Sequence, residues 1–105
     1  MARIAAAGMN GEFTRQAENA GTFTFFEITN DFRINGMFEE SVCGEDEKII
    51  VHFLAARNVS VLVCDRISES LKKQLADSGI VCAEGCGGSI ISAVGDYLMK
   101  RIINH

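Results

Sequence analysis

The chain has 105 residues, of which 48% are hydrophobic and 23% charged, with a net charge of −4. That length suits one domain with a single hydrophobic core, spanning residues 1–105. No apolar run approaches a membrane span, so no membrane partner is expected. No dense basic patch is present, so nucleic acid is not an expected partner either.

Met1 to Gly8 carries one charge and a very short apolar stretch, and reads as a first strand, Arg3 to Ala7, rather than an export signal. A reducing cytoplasm without structural disulfides is the expected setting. Gly8-Met9-Asn10-Gly11 reads as a turn. Glu12 to Asn19 fits a short helix or an ordered loop. Thr22 to Thr29, rich in β-branched and aromatic residues, predicts a second strand. After a turn at Asn30-Asp31, Phe32 to Glu40 predicts its hairpin partner, with Phe32, Ile34 and Phe38 on one face.

The second half alternates helix and strand. Glu45-Asp46-Glu47 opens a helix to about Arg57, with Ile49, Ile50, Phe53 and Leu54 at helical spacing. Val59 to Cys64 predicts a strand buried on both faces. Ser68 caps a helix through Leu71 and Leu75, which Gly79 stops. Ile80 to Cys82 predicts another buried strand. Ser89 caps a last helix whose Ile90, Ile91, Val94, Leu98 and Ile102 face the core. Lys72-Lys73 and Lys100-Arg101 fall near predicted helix ends, where the dipole favours cations. The order β-β-β-α-β-α-β-α predicts a mixed sheet covered by helices.

This topology carries the sulfur residues to one edge. Cys43 follows strand 3, Cys64 closes strand 4, Cys82 and Cys86 flank the end of strand 5, and Met9 lies beyond strand 1. Ligands bind at the carboxyl edge of open α/β sheets, and converging thiols suit a soft metal or an iron–sulfur cluster. Cys64 and Cys82 continue apolar runs and also read as small core residues. Cys43 and Cys86 lie in loops and are the better metal ligands. Gly85, Gly87 and Gly88 allow close backbone approach to a ligand, and the helix opening at Ser89 offers N–H groups to an anion. A plain strand-to-helix turn accounts for the same glycines. His52 reads as a surface residue, and His105 ends the chain.

Arg3-Ile4-Ala5, the run Ala20 to Ile28, Phe53-Leu54-Ala55, Val59 to Val63, Leu75 with Ser78-Gly79-Ile80, Gly85 with Gly88, Ala93-Val94 and Tyr97-Leu98 together resemble the dinitrogenase iron-molybdenum cofactor biosynthesis family. The resemblance covers almost the whole chain and rests on order and spacing. It implies a ribonuclease H-like three-layer α/β fold, with a five-stranded mixed sheet in the order 3-2-1-4-5 and strand 2 antiparallel. It also implies a role in carrying or assembling an iron–sulfur or iron-molybdenum-type cofactor. Many members have a His-Phe-Gly segment before strand 2, where this chain has Gln16-Ala17-Glu18. Members often have histidines before the first long helix, where this chain offers Cys43.

The expected function is therefore a non-catalytic binding protein for such a cofactor, partnered by the cofactor and an assembly or recipient protein. The cofactor-binding candidates are Met9, Cys43, Cys64, Cys82, Gly85, Cys86, Gly87, Gly88 and Ser89, with Cys43 and Cys86 as metal ligands. The alternative is a metal-free regulatory module that binds a small anion or a protein at the sheet edge. A nuclease is disfavoured because Ile4-Ala5-Ala6-Ala7 offers no converging carboxylates.

Overall fold

The computed structural model describes residues 2–44 and 46–103, with side chains as far as Lys100. Glu45 and His105 lie outside the described residues, and the side chains of Arg101 and Ile102 lie outside the described side chains. The elements are β1 (Ala2–Met9), β2 (Glu12–Phe13), a 3₁₀ turn (Ala17–Asn19), β3 (Thr22–Ile28), β4 (Ile34–Ser41), α1 (Glu47–Ala56), β5 (Val61–Val63), α2 (Glu69–Asp77), β6 (Val81–Ala83) and α3 (Ile90–Ile103).

Among the described residues the sheet has six strands, one more than expected. Its main path runs β4-β3-β1-β5-β6, and β2 pairs with the end of β1 outside that path. β3 is antiparallel to both its neighbours, while β1, β5 and β6 run parallel. The extra strand arises because β1 continues through Gly8 and Met9 and turns at Asn10 and Gly11, which have φ of 54° and 81°. Positive φ at both central residues suits a tight two-residue hairpin. Gly8 is required there, since a Cβ would lie 2.1 Å from the Glu12 carbonyl oxygen.

Strand alternation divides the core in two. Ala5, Ala7, Phe23, Phe25, Leu62 and Cys64 pack with Ile50 and Leu54 of α1 and Leu71 and Leu75 of α2. Ile4, Ala6, Phe26, Ile28 and Val63 pack with Ile90, Val94 and Leu98 of α3. The three layers are thus α1/α2, sheet, and α3. Ala5, Ala6 and Ala7 of central β1 are fully buried, and their small side chains let helices approach from both sides. Complete burial of each phenylalanine contributes about 1.5–3 kcal/mol.

Several expected core assignments change. Ile49 is 43% exposed and Ile91 is 50% exposed, because each lies one position off the buried stripe of its helix. Val81 is 59% exposed, because β6 is an edge strand and not a doubly covered one. Ile34 is 41% exposed, where the β3–β4 register shifts beside Ile28. Phe32 sits in the turn at φ 61° and packs on the α3 side, whereas Phe38 packs on the α1 side. Lys72 and Lys73 lie within α2, whose last turn holds no basic residue. Lys72 instead pairs with Glu84. No helix among the described residues is long and apolar enough to cross a membrane.

Candidate functional site

The carboxyl ends of β1, β4, β5 and β6 share one edge of the sheet, and the loops beyond them build the site. Backbone bonds extend the β5–β6 pairing into the glycine loop. The Cys64 N–H donates to Ala83 O at 3.0 Å, the Gly85 N–H to Asp65 O at 2.8 Å, and the Cys86 N–H to Cys64 O at 3.0 Å. Gly85 and Gly88 take positive φ of 80° and 74°, conformations that L side chains avoid, while Gly87 does not. A Cβ at any of the three would meet nothing within 4 Å, so open space surrounds the loop.

The β1–β2 turn clamps this loop from above. Glu12 bridges Ser89, and the Ile90 N–H donates to Gly11 O at 2.9 Å. The Ser89 hydroxyl oxygen accepts from the Ser92 N–H at 3.4 Å, the expected cap. Asn10 to Phe13, Asp65, Gly87, Gly88 and Ser89 line a polar cleft of about 530 Å³. The Ile90 N–H thus serves the hairpin and is not open to an anion, which reduces what the start of α3 can offer a ligand.

The sulfur residues reach this end of the sheet, and Cys82 and Cys86 lie close enough to Cys64 to act on its thiol. Met9, at the tip of β1, is 46% exposed. Cys43 is exposed beyond β4, Cys64 is buried, and Cys82 and Cys86 are half-buried. Cys82 lies within β6 rather than at its end. Cys64 and Cys82 face the α1/α2 layer, whereas Cys86 packs on the α3 side. Among the described residues no three or more His, Cys, Asp or Glu side chains are grouped to hold a metal ion.

Local electrostatics separate the thiols further. Burial pushes the Cys64 thiol up to about 12, and the neighbouring Cys82 and Glu84 add to the rise. Burial also raises Cys82, opposed by the Lys72 ammonium. Such thiols stay protonated near neutrality and make poor ligands unless a metal displaces the proton. The Cys86 Sγ lies 3.6 Å from Ala83 O, the carbonyl of the strand it leaves.

Polar contacts brace the same edge. The Glu18 carboxylate accepts from the Ser68 N–H at 3.1 Å, and Glu47 accepts from the Ser68 hydroxyl at 2.7 Å and from Gln74 at 3.0 Å. Hydrogen bonding by Ser68 foremost, then by Ser70 and Gln74, holds the Glu47 carboxyl below its ordinary value. These contacts tie the 3₁₀ turn, α1 and α2 together beneath the β5–α2 loop that carries Asp65. The sequence does not mark Asn10 and Glu12 as site residues, since nothing local shows that a hairpin folds over the glycine loop.

The family described as dinitrogenase iron-molybdenum cofactor matches residues 1–100. The chain belongs to this family. No curated protein matches it. Solved structures with the same fold include PH0822, with TM-score 0.83 and 13% identity over 93% of this chain and 91% of that one. A second is the "putative dinitrogenase (mj0327)" of Methanocaldococcus jannaschii, with TM-score 0.74 and 15% identity over 93% and 88% of the two chains. A third is the "putative NifB protein" TM1290 of Thermotoga, with TM-score 0.68 and 19% identity over 96% and 90%. At these identities the likeness shows the fold alone.

Proposed function

We propose that this protein is a non-catalytic handler of a preassembled iron–sulfur or iron-molybdenum-type cluster, acting as carrier or assembly accessory. The cluster is cargo. A bare metal ion would need three or four donors, and no such group is gathered among the described residues. A preassembled cluster brings its own sulfide bridges and needs only one or two thiolates from the protein. The observation that carries the reading is the exposed Cys43 and the half-buried loop residue Cys86 at the carboxyl edge, in contrast to the buried Cys64. Membership of the family supports it. The free thiols suit a reducing cytoplasm, the partner is an assembly or recipient protein, and the sheet is of ribonuclease H-like type.

Anaerobic reconstitution with iron and sulfide tests the reading. Visible absorption that survives desalting is expected, and it should be lost in the Cys43→Ser, Cys86→Ser double variant. Absence of absorption in the unaltered protein, or no change in the double variant, sinks it. The second reading is a metal-free module that binds an anion or a protein in the polar cleft. The dispersal of the thiols over both sheet faces favours it. Metal analysis of anaerobically purified protein separates the two, with stoichiometric iron supporting the first.

A further inference from the structure

A second concavity, apart from the glycine loop, lies between the β4–α1 loop and the outer side of α1. This groove has a volume of about 480 Å³. Ile49 and Phe53 are prominent in its apolar wall, and Cys43, Lys48, His52 and Arg57 supply its polar chemistry. Among the described residues no carboxylate lines it, although the chain has 14 acids against 10 Lys and Arg. The guanidinium of Arg57 is engaged, since it donates to Glu40 Oε2 at 2.6 and 2.8 Å and stacks over the Phe53 ring at 3.7 Å. It therefore stiffens the wall. Lys48 and His52 stand one helical turn apart, and their side chains have no hydrogen-bond or ion-pair partner among the described residues.

The loop that brings Cys43 here is built for close approach. Gly44 has φ 121°, and a Cβ there would lie 2.8 Å from Ile49 Cδ1. Glycine lets the chain press onto the first turn of α1 and carries the exposed thiol into the groove. Thiolate and imidazole are both ligands for iron, and an ammonium beside them offsets the negative charge of a thiolate-bound cluster.

We infer that this groove seats the cargo cluster. Cys43 is the anchoring ligand, His52 the second donor, and Lys48 the charge partner. The inference rests on the cluster-handling function proposed above and assigns the cargo to one of its two accessible thiols. Loading from a thiolate-capped cluster is a ligand exchange without redox change. The Cys43 sulfur forms a bond to iron as one iron–alkylthiolate bond breaks, and the Cys43 proton leaves on the departing thiol; a ring nitrogen of His52 forms a second bond to iron through its lone pair as a second alkylthiolate leaves as the anion.

The test uses the full chain and a synthetic [4Fe–4S] cluster capped by exchangeable alkylthiolates, without oxygen. About one cluster per chain should survive desalting. Cys43→Ser should lower retention roughly tenfold or more, the scale on which lost supporting groups weaken metal sites. His52→Asn should lower retention and shift the visible bands, and Lys48→Glu should lower it in a salt-dependent manner. Cys86→Ser should lower retention far less than Cys43→Ser does. Alkylating Cys43 on the folded chain gives the same block without a substitution. If only Cys86→Ser loses the cluster, the groove assignment is wrong while cluster handling stands. If the unaltered protein retains none, both fall.

Discussion

Alkaline pH should destabilise this protein through Cys64. The thiol is fully buried, and burial lifts its pKa from an ordinary 9.0 to about 12. The folded value lies above the unfolded one, so the contribution is complete below pH 9 and fades as pH rises toward 12. The unfolded chain ionises first and is favoured by up to about 1.4 kcal/mol per pH unit. Between pH 8 and 10 this amounts to about 1.4 kcal/mol. Cys64→Ala removes the titration at the cost of a small cavity, about 1–2 kcal/mol at pH 8. Urea unfolding under reducing conditions, followed by far-ultraviolet circular dichroism at both pH values, measures the difference between the two proteins. Other groups that titrate in this range cancel in that difference. The advantage of the unaltered chain should shrink to near zero at pH 10. An advantage unchanged between pH 8 and 10 would refute the buried, neutral thiol. Iodoacetamide at pH 8 gives an independent check, with Cys43 reacting on the folded chain and Cys64 only after unfolding.

On the acid side, Ser68→Ala removes the α2 cap and the principal hydrogen bond to Glu47, and should cost about 1–2 kcal/mol in urea unfolding at neutral pH. Because the folded Glu47 pKa is depressed, its contribution is present above the ordinary 4.5 and lost as pH falls below it, so the Ser68→Ala deficit should narrow toward pH 3. The three loop glycines should separate by conformation: Gly85→Ala and Gly88→Ala each cost about 1–2 kcal/mol for positive φ, whereas Gly87→Ala stays within about 0.5 kcal/mol. Equal costs at all three would show that the loop geometry is wrong.

The elements legible in the sequence are those whose signals are local. Ser68 accepts from the Leu71 N–H at 3.1 Å, and Gly79 at φ 81° closes the same helix, so α2 is bounded by the two residues that predict it. The aromatic run of β3 begins at Thr22, as its composition requires. What could not be read depends on distant partners. β2 is two residues long and exists only because Gly8 admits Glu12 against β1. Val81 looks like a core residue because its neighbours are apolar, yet among the described residues β6 is the edge strand of the sheet and leaves it exposed. Ile49 and Ile91 fit a helical period, but which edge of the stripe meets the sheet is decided by tertiary packing.

The site was legible as a place and not as a constellation. Connectivity alone puts the ends of β1, β4, β5 and β6 at one edge, but sheet parity decides which thiols can share a ligand. Leu62 pairs with Cys82 in the parallel register, and Cys64, two residues beyond Leu62, must share their face. Cys86 has left the strand, and its loop delivers it to the opposite face. Cys64 and Cys86 thus pack against different layers, although their backbones are joined by a hydrogen bond of 3.0 Å and each lies just beyond the end of its strand. The accessible thiols are separated too: Cys86 is tied to the α3 side, while Cys43 lines the groove on α1. A cargo on this protein must then choose one seat. The groove of Cys43, with an imidazole and an ammonium beside the thiol, provides a donor set that the glycine loop lacks.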